Sequence, residues 1–201
     1  MSAASSTGPS VHDPPANFAI VHPQLYRSSA FAAQHLPFIN ALKLRTCISL
    51  GPELPSRTIT QWAEQQGVKL VHLGAQRNLL LEIKDWKPVQ EELIKDALEF
   101  VLNKDNNPCI VMDHSGVYET GIFVACLRRL ESWSLNAVLA EVCFDFRDNR
   151  DPLTIRLQYA SIAGSKVRAV NEQFIELFDT DLVNVPPRDL RTDWFADGSE
   201  T

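Results

Sequence analysis

The segment from Cys109 to Leu130, CIVMDHSGVYETGIFVACLRRL, carries the polar residues of this chain that are best placed to do chemistry. An apolar run leads into a loop that holds Asp113, Ser115, Gly116 and Glu119, and an apolar helix follows. A loop between a strand and a helix turns free N–H groups and the positive end of the helix dipole toward a bound anion. This order of elements predicts a loop shaped for phosphate.

The side chains of that loop do not fit the standard ways of handling phosphate. A thiolate phosphatase needs a cysteine at the loop start and an arginine six residues later, which grips two phosphate oxygens. None of the four cysteines has such an arginine; the residues six positions after them are Glu53, Ser115, Ser132 and Asn149. Neither GxxxxGK(S/T) nor GxGxxG occurs, so a nucleotide-binding loop is excluded as well.

Two unconventional nucleophiles remain as hypotheses. Ser115 would need a base beside it, and His114 is poorly placed for that role because it is the neighbouring residue in the chain. Asp113 could form an aspartyl phosphate only with a magnesium site, which the sequence does not show. The polar loop residues are interpreted instead as groups that cap the following helix.

The composition is that of a single globular domain. Of the 201 residues, 45% are hydrophobic, which suits one core. A net charge of −6 without a Lys/Arg block argues against a nucleic acid or an anionic membrane as partner. Without a spanning apolar run or a secretory signal, the chain is predicted to be cytoplasmic. The scattered cysteines and histidines predict reduced core thiols and neither a metal nor another cofactor.

Alternating strand and helix patterns predict an α/β fold, with a mainly parallel sheet covered by helices on both faces. Residues 1–12 are predicted to be a disordered tail, residues 13–185 the domain, and residues 186–201 a loose acidic tail. Ser56 and Gly67 are the predicted N-cap and C-terminal stop of one helix. Pro88, after the polar loop 74–86, suits the start of the next helix, whose spacing places five apolar residues on one face: Leu93, Ala97, Leu98, Val101 and Leu102. The predicted strands are 18–21, 25–27, 45–50, 68–73 and the run into the loop; the predicted helices are 36–44, 57–66, 89–103, 122–132, 135–142 and 171–178.

Several segments together resemble one known family. In chain order they are PPANFAIVHPQLYRSS, LPFINALKLRTCISLGPE, CIVMDHSGVYETGIFVACLRRLESWSLNAVLAE and ASIAGSKVRAVNEQFIELFD. Residues 14–180 resemble the plant-and-fungi atypical dual-specificity phosphatases of the cysteine-based protein tyrosine phosphatase superfamily. Within that group the chain is most similar to the degenerate fungal branch of oxidant-induced cell-cycle arrest proteins. The resemblance implies a cysteine-phosphatase-like fold, with a central, mainly parallel sheet flanked by helices.

The resemblance also indicates what the loop has lost. Active members carry HCxxGxxRTG, and Gly116, Thr120 and Gly121 match its first glycine, its threonine and its final glycine without a gap. That register puts Asp113 at the nucleophilic cysteine and Glu119 at the arginine that grips phosphate. A like charge about 4 Å from a phosphate dianion costs on the order of 4 kcal/mol at an effective dielectric of about 20.

The function implied by the resemblance is that of a pseudophosphatase. Such a protein would act as a scaffold or regulatory subunit, in a hetero-complex with related phosphatase-like proteins that serves stress or nutrient signalling. The alternative is an active phosphatase on phosphotyrosine or inositol pyrophosphates that uses an unconventional nucleophile. A second register, with His114-Ser115 at the family His-Cys, suits that alternative but still leaves Glu119 at the arginine position.

Other charged residues have weaker assignments. Asp85 lies in the loop where such enzymes often place a general acid, and it is interpreted as a surface residue or as a relic of that acid. Arg27, in LYRSS, resembles a structural arginine of the family and is predicted to pair with a carboxylate. Arg128 and Arg129 suit the negative end of the helix dipole and are predicted to be exposed or to contact a partner.

Residues 142–158, VCFDFRDNRDPLTIRLQ, fit neither neighbouring helix and have no counterpart in the family pattern. They are interpreted as an insertion, either a surface loop, which adds little closure entropy, or a translated intron. Val-Cys can be encoded by GTATGT, Gln by CAG, and Pro-Leu-Thr can contain a CTGAC branch site. Transcript reads across the codon of Glu141 decide between these, because reads that keep the whole segment exclude the intron.

Overall fold

The fold is seen in a computed structural model, which describes residues 13–74, 89–145 and 164–195. Its sheet is built on the order β1-β2-β5-β3-β4, with β1 antiparallel to β2 and the other neighbours parallel. The predicted α/β fold with a mainly parallel sheet is therefore confirmed. The strands are β1 (Ala19–His22), β2 (Leu25–Ser29), β3 (Thr46–Ser49), β4 (Lys69–His72) and β5 (Cys109–Asp113).

Helices follow or connect these strands, and their ends have the expected local causes. The Ser56 hydroxyl accepts a hydrogen bond from the amide of Ile59 at 3.4 Å, and Gly67 ends the same helix with φ of 66°. Both predicted caps are thus confirmed. The helices are α1 (Leu36–Ala41), α2 (Arg57–Gln66), α3 (Glu91–Leu102), α4 (Glu119–Leu130), α5 (Leu135–Asp145) and α6 (Gly164–Leu177).

Alternation along the central strand β5 divides the core into two layers. Cys109 and Val111 belong to the cluster on the face of α3 and α4, whereas Ile110 and Met112 belong to the cluster on the face of α1 and α2. A strand buried on both faces explains why its sequence is continuously apolar. The face of α3 predicted to be buried is confirmed; its residues are Leu93, Ala97, Leu98, Val101 and Leu102.

Helix α4 is buried on nearly every side. Ile122 and Phe123 pack in the main core, while Ala125 joins Val138 of α5 and Ile175 of α6 in a third cluster. A helix that is apolar all round is one surrounded by protein, which matches the run IFVACL. The loop before α4 is therefore continuous with a helix whose side chains are mostly buried.

The prediction of a loose tail from residue 186 is wrong for residues 186–195. Phe195 is 5% exposed within the main core, and Trp194 stacks on His22 with ring centroids 4.4 Å apart. The amide of Thr192 donates to the carbonyl of Leu102 at 3.0 Å. Two neighbouring aromatic side chains bury enough apolar area to order a segment that its prolines and aspartates otherwise mark as loose.

The proposed insertion begins inside a helix. Helix α5 continues through Val142 to Asp145, so the first four residues of segment 142–158 extend it. The rest of that segment lies outside the described residues, as do the predicted tail 1–12, most of the loop before α3, and Pro88. In the described ranges, no helix is both long and apolar enough to cross a membrane.

Candidate functional site

The loop 114–118 leaves the carboxyl end of β5 at the centre of the sheet and leads into α4. Gly116 has φ of 74°, and a Cβ there would lie 2.4 Å from the backbone nitrogen of Ser29. Glycine is thus required at this position both by conformation and by the close approach of β2. The predicted strand, loop and helix are present, and β2 buttresses the loop from one side.

The carboxylate of Asp113 fills this loop. The residue is 2% exposed. Its Oδ1 accepts hydrogen bonds from the amide of Ser115 at 2.7 Å, from the Ser115 hydroxyl at 3.0 Å and from the amide of Gly116. Its Oδ2 accepts from the amide of Thr120 at 2.9 Å and from the Thr120 hydroxyl at 2.8 Å. A carboxylate offers about four lone-pair sites, so these five donors saturate it.

The charge of Asp113 is balanced by neutral donors and by the helix dipole. The amide of Thr120 belongs to the first turn of α4, where the partial positive charge of the helix is concentrated. The ion pairs seen in the described ranges join His22, Lys95, His114 and Arg128 to glutamates, and Asp113 is in none of them. The Asp113 side chain therefore takes the place that a bound anion takes at a helix N-terminus.

The mouth of the loop carries further carboxylates. Glu119 is the first residue of α4, where its charge complements the dipole. His114 points outward with its side chain 87% exposed, and its Nδ1 lies 3.8 Å from a carboxylate oxygen of the 80% exposed Glu53. An exposed pair of this kind contributes little to stability. The surroundings of the loop are therefore acidic or neutral at these positions.

The described cysteines are remote from this chemistry. Cys47 and Cys109 lie in the sheet and Cys126 in the middle of α4, and all three are fully buried. Burial raises the pKa of the Cys47 thiol to about 12 and raises the pKa of Cys109 and Cys126 as well. These groups are protonated at neutral pH, so none of them is a thiolate nucleophile.

The opposite end of α4 shows what sequence reasoning missed. Arg128 was predicted to be exposed or to contact a partner, but its side chain is only 8% exposed. Its Nε donates to Glu141 at 2.9 Å, its Nη1 to Glu131 at 3.1 Å, and its Nη2 to the carbonyl of Val21 at 3.2 Å. Burial by itself lowers the pKa of Arg128, but the hydrogen bonds and charges of the two glutamates outweigh it and raise that pKa.

The remaining predicted residues stand as follows. Arg27 is buried in β2, in register with Val111, and its pairing with a carboxylate stays a prediction. Asp85 lies outside the described residues. In the ranges that the structure covers, no group of three or more His, Cys, Asp or Glu side chains could hold a metal ion.

The sheet order and the loop between β5 and α4 define the fold of the tyrosine phosphatases. The core catalytic domain of the PP-IP phosphatase SIW14 from S. cerevisiae, solved in complex with citrate, superposes with a TM-score of 0.64 at 29% identity, over 84% of this chain and 89% of that domain. TpbA of P. aeruginosa shares the fold at a TM-score of 0.53 and 18% identity, over 83% of this chain and 87% of that one.

The chain belongs to the tyrosine phosphatase family, whose sequence model matches residues 13–151. It is 39% identical to a probable tyrosine-protein phosphatase of Dictyostelium discoideum, over 86% of this chain and 91% of that protein. It is 34% identical to a putative tyrosine-protein phosphatase OCA1 of Mycosarcoma maydis, over 85% and 95%. An inositol diphosphatase of rice matches at 34% over 83% and 72%. The resemblance stated from the sequence is confirmed.

Proposed function

We propose that this protein is a pseudophosphatase, a catalytically inactive member of its family that serves as a scaffold or regulatory subunit. The observation that carries this proposal is the Asp113 carboxylate, which uses the loop donors that a substrate phosphate would need. By the resemblance, the same residue stands where active members have the nucleophilic cysteine. One substitution thus removes the nucleophile and fills its binding site.

The cation that would hold phosphate is missing from its family position as well. By the resemblance, Glu119 stands in place of the arginine whose guanidinium grips two phosphate oxygens. A glutamate at that position repels a phosphate dianion by on the order of 4 kcal/mol at about 4 Å and an effective dielectric of about 20. Loss of the attraction and gain of a repulsion act in the same direction, against substrate binding.

The second candidate is an active phosphatase on phosphotyrosine or an inositol pyrophosphate, in which Ser115 is the nucleophile. Its support is the hydrogen bond from the Ser115 hydroxyl to Asp113 Oδ1 at 3.0 Å, which pairs a hydroxyl with a carboxylate base. The Asp113 carboxylate, however, already accepts four other hydrogen bonds. The Ser115 oxygen also accepts from the amide of Val117 at 3.1 Å. These contacts favour a capping role, which is why this candidate ranks second.

Activity measurements separate the two candidates. Purified protein is assayed with an aryl phosphate, a phosphotyrosine peptide and an inositol pyrophosphate, beside the rice inositol diphosphatase as a positive control. We expect no vanadate-sensitive phosphate release from this protein. Turnover that is lost in Ser115→Ala but kept in Glu53→Gln, an exposed matched control, would establish the serine candidate and overturn the inactive one.

The scaffold role requires an intact surface rather than a reaction. Its support is that the described structure of the loop is well ordered by contacts: Gly116 fits against β2, and the donors around Asp113 are paired with its carboxylate. Leu54, in the neighbouring loop after β3, is 81% exposed and offers an apolar contact on the same edge of the sheet. The partners we propose are related phosphatase-like proteins of the cytoplasm, in a complex that serves stress or nutrient signalling.

Affinity purification from the native cell tests the association. We expect related phosphatase-like proteins to copurify with the tagged chain. If the loop does not contact these partners directly, the variant Asp113→Ala should still copurify with them. Substituting the exposed Leu54 by Asp is expected to weaken copurification. A tagged chain that elutes alone, as a monomer, contradicts the scaffold role while leaving the lack of activity unaffected.

A further inference from the structure

In this protein, a side chain of the loop itself accepts the hydrogen bonds that the loop offers. Asp113 is an acid side chain that is 2% exposed, and its negative charge is held by three backbone amides and two hydroxyls. We propose that Asp113 is an intramolecular inhibitor, and this proposal rests on the proposed lack of activity. The Asp113 carboxylate occupies an oxyanion site, and inorganic phosphate can bind to that site once the carboxylate is removed.

The charge balance of Asp113 supports an anion site rather than an ordinary buried acid. A buried carboxylate is normally paired with a cation, because the loss of hydration is otherwise too costly. The ion pairs seen among the described residues, those of His22, Lys95, His114 and Arg128, all go to glutamates and not to Asp113. Within the described part of the chain, the neutral donors and the dipole of α4 stabilise the negative charge, as they would stabilise a bound oxyanion.

The donors are fixed by elements other than Asp113. Thr120 is fully buried at the start of α4, a helix held on several sides by the core. Gly116 is held against the backbone of Ser28 and Ser29, where no larger residue fits. Because these contacts do not involve the carboxylate, its removal is expected to leave the amides of Gly116 and Thr120 directed at the emptied position.

Tethering explains why phosphate does not compete in the native chain. The carboxylate is linked to the end of β5, so its effective concentration at the donors is far above that of any dissolved anion. An external phosphate would have to expel this group and meet its charge at close range. The inhibition is thus intramolecular and permanent. The charge of Glu119 also weakens phosphate binding, but it acts equally before and after Asp113 is replaced, so comparing the two chains with Glu119 unchanged isolates the effect of Asp113.

The test compares phosphate binding by the full-length protein and its Asp113→Ala variant, with Glu53→Gln as a control that removes an exposed carboxylate nearby. Melting temperature and isothermal titration are measured with inorganic phosphate against chloride at equal ionic strength. We expect binding by Asp113→Ala that is at least about tenfold tighter than by the native chain, with a corresponding rise in melting temperature. The control is expected to behave as the native chain does.

A folded Asp113→Ala variant without phosphate binding overturns the proposal, and so does equal binding by the native chain. If that variant does not fold, amide NMR of the native chain decides. If the amide chemical shifts of Gly116 and Thr120 do not change on phosphate addition, the site is occupied by Asp113 as proposed. If both shifts change and saturate, phosphate binds to the native chain and the proposal is wrong. Turnover by the native chain would overturn the proposed function instead, so the two failures are distinguishable.

Discussion

The two ends of helix α4 each hold a buried charge, but they hold it in different ways. At the first turn, the Asp113 anion is surrounded by amides and hydroxyls. At the last turn, the Arg128 cation is surrounded by the carboxylates of Glu131 and Glu141 and the carbonyl of Val21. Both charges have the sign that the helix dipole favours.

The difference lies in what happens when the charge is removed. The neutral groups around Asp113 can donate their hydrogen bonds to another anion or to water instead. We therefore expect that a dissolved anion can replace the carboxylate at that end of the helix. The carboxylates around Arg128 cannot, because removal of the guanidinium leaves Glu131, which is 10% exposed, and Glu141, which is 27% exposed, without the cation that they share. We therefore expect the first end to bind an anion once Asp113 is removed, whereas the second is a structural network that ties α4 to α5 and β1.

The largest expected effect comes from breaking the Arg128 network. Arg128→Met is expected to lower the free energy of unfolding by about 4 kcal/mol, since Glu131 and Glu141 lose the cation that balances them. Urea denaturation measures this change. Arg129→Met, which removes the adjacent guanidinium and none of these contacts, is the matched control and should cost less than about 1 kcal/mol.

A triple variant sharpens that result. Adding Glu131→Gln and Glu141→Gln to Arg128→Met should restore part of the lost stability, because the repulsion between two unbalanced acids disappears. A triple variant that is less stable than Arg128→Met would show that the glutamates do not act through the arginine. The network interpretation of this end of the helix would then fail.

The next effect is expected at the other end of α4. Asp113→Ala should lower the free energy of unfolding by about 3 kcal/mol in buffer without phosphate or sulfate, because buried donors lose a charged acceptor. Added phosphate should return part of that loss, whereas no added anion should rescue Arg128→Met. If Asp113→Ala lost the same free energy of unfolding with and without phosphate, the two ends of α4 would not differ in their response to added anions.

A smaller effect is expected from a single donor. Thr120→Val keeps the shape of the side chain but removes the hydroxyl that donates to Asp113 Oδ2 at 2.8 Å. The expected cost is about 1.5 kcal/mol, because the acceptor is charged and buried. Thr60→Val is the matched control, since the Thr60 hydroxyl donates only to an exposed helix carbonyl. Similar costs at both positions would mean that the buried carboxylate does not depend on this donor.

The smallest effect concerns a buried thiol of the sheet, Cys47 in β3. Burial raises the folded pKa of Cys47 from 9.0 to about 12, so its contribution to stability is complete below pH 9 and is lost as the pH rises toward 12. At pH 9 the unfolded thiol is half ionised, and the cost is about 0.4 kcal/mol relative to neutral pH. Unfolding measured at both pH values should therefore show a weaker pH dependence in Cys47→Ala. An unchanged dependence would contradict the thiol assignment.

Much of the architecture follows from local pattern. The cap at Ser56, the stop at Gly67 and the buried face of α3 are set by neighbouring residues, so sequence spacing was enough to predict them. The hydrogen bonding of Asp113 was not predictable in this way. It depends on how residues 114–118 bend back toward the end of β5, and polar residues in a loop indicate such a bend only in general terms.

The environment of Arg128 depends on distant parts of the chain. Its partners come from α5 and β1 as well as from its own helix, at separations of 13 and 107 residues. A pair of arginines at a helix end ordinarily indicates exposure. One signal was present in the sequence. A charged side chain such as Arg128, in a helix that is otherwise apolar, needs a carboxylate partner when it is buried, and Glu131 lies three residues away.

The position of Phe195 affects how the protein is made. The residue belongs to the main core together with side chains from the first half of the chain, such as Leu25 and Ile48. During synthesis from the N-terminus, the sheet can form early, but this part of the core stays open until residue 195 has left the ribosome. A chain that stops near residue 190 would lack Phe195 and would leave the apolar surface that this residue covers exposed.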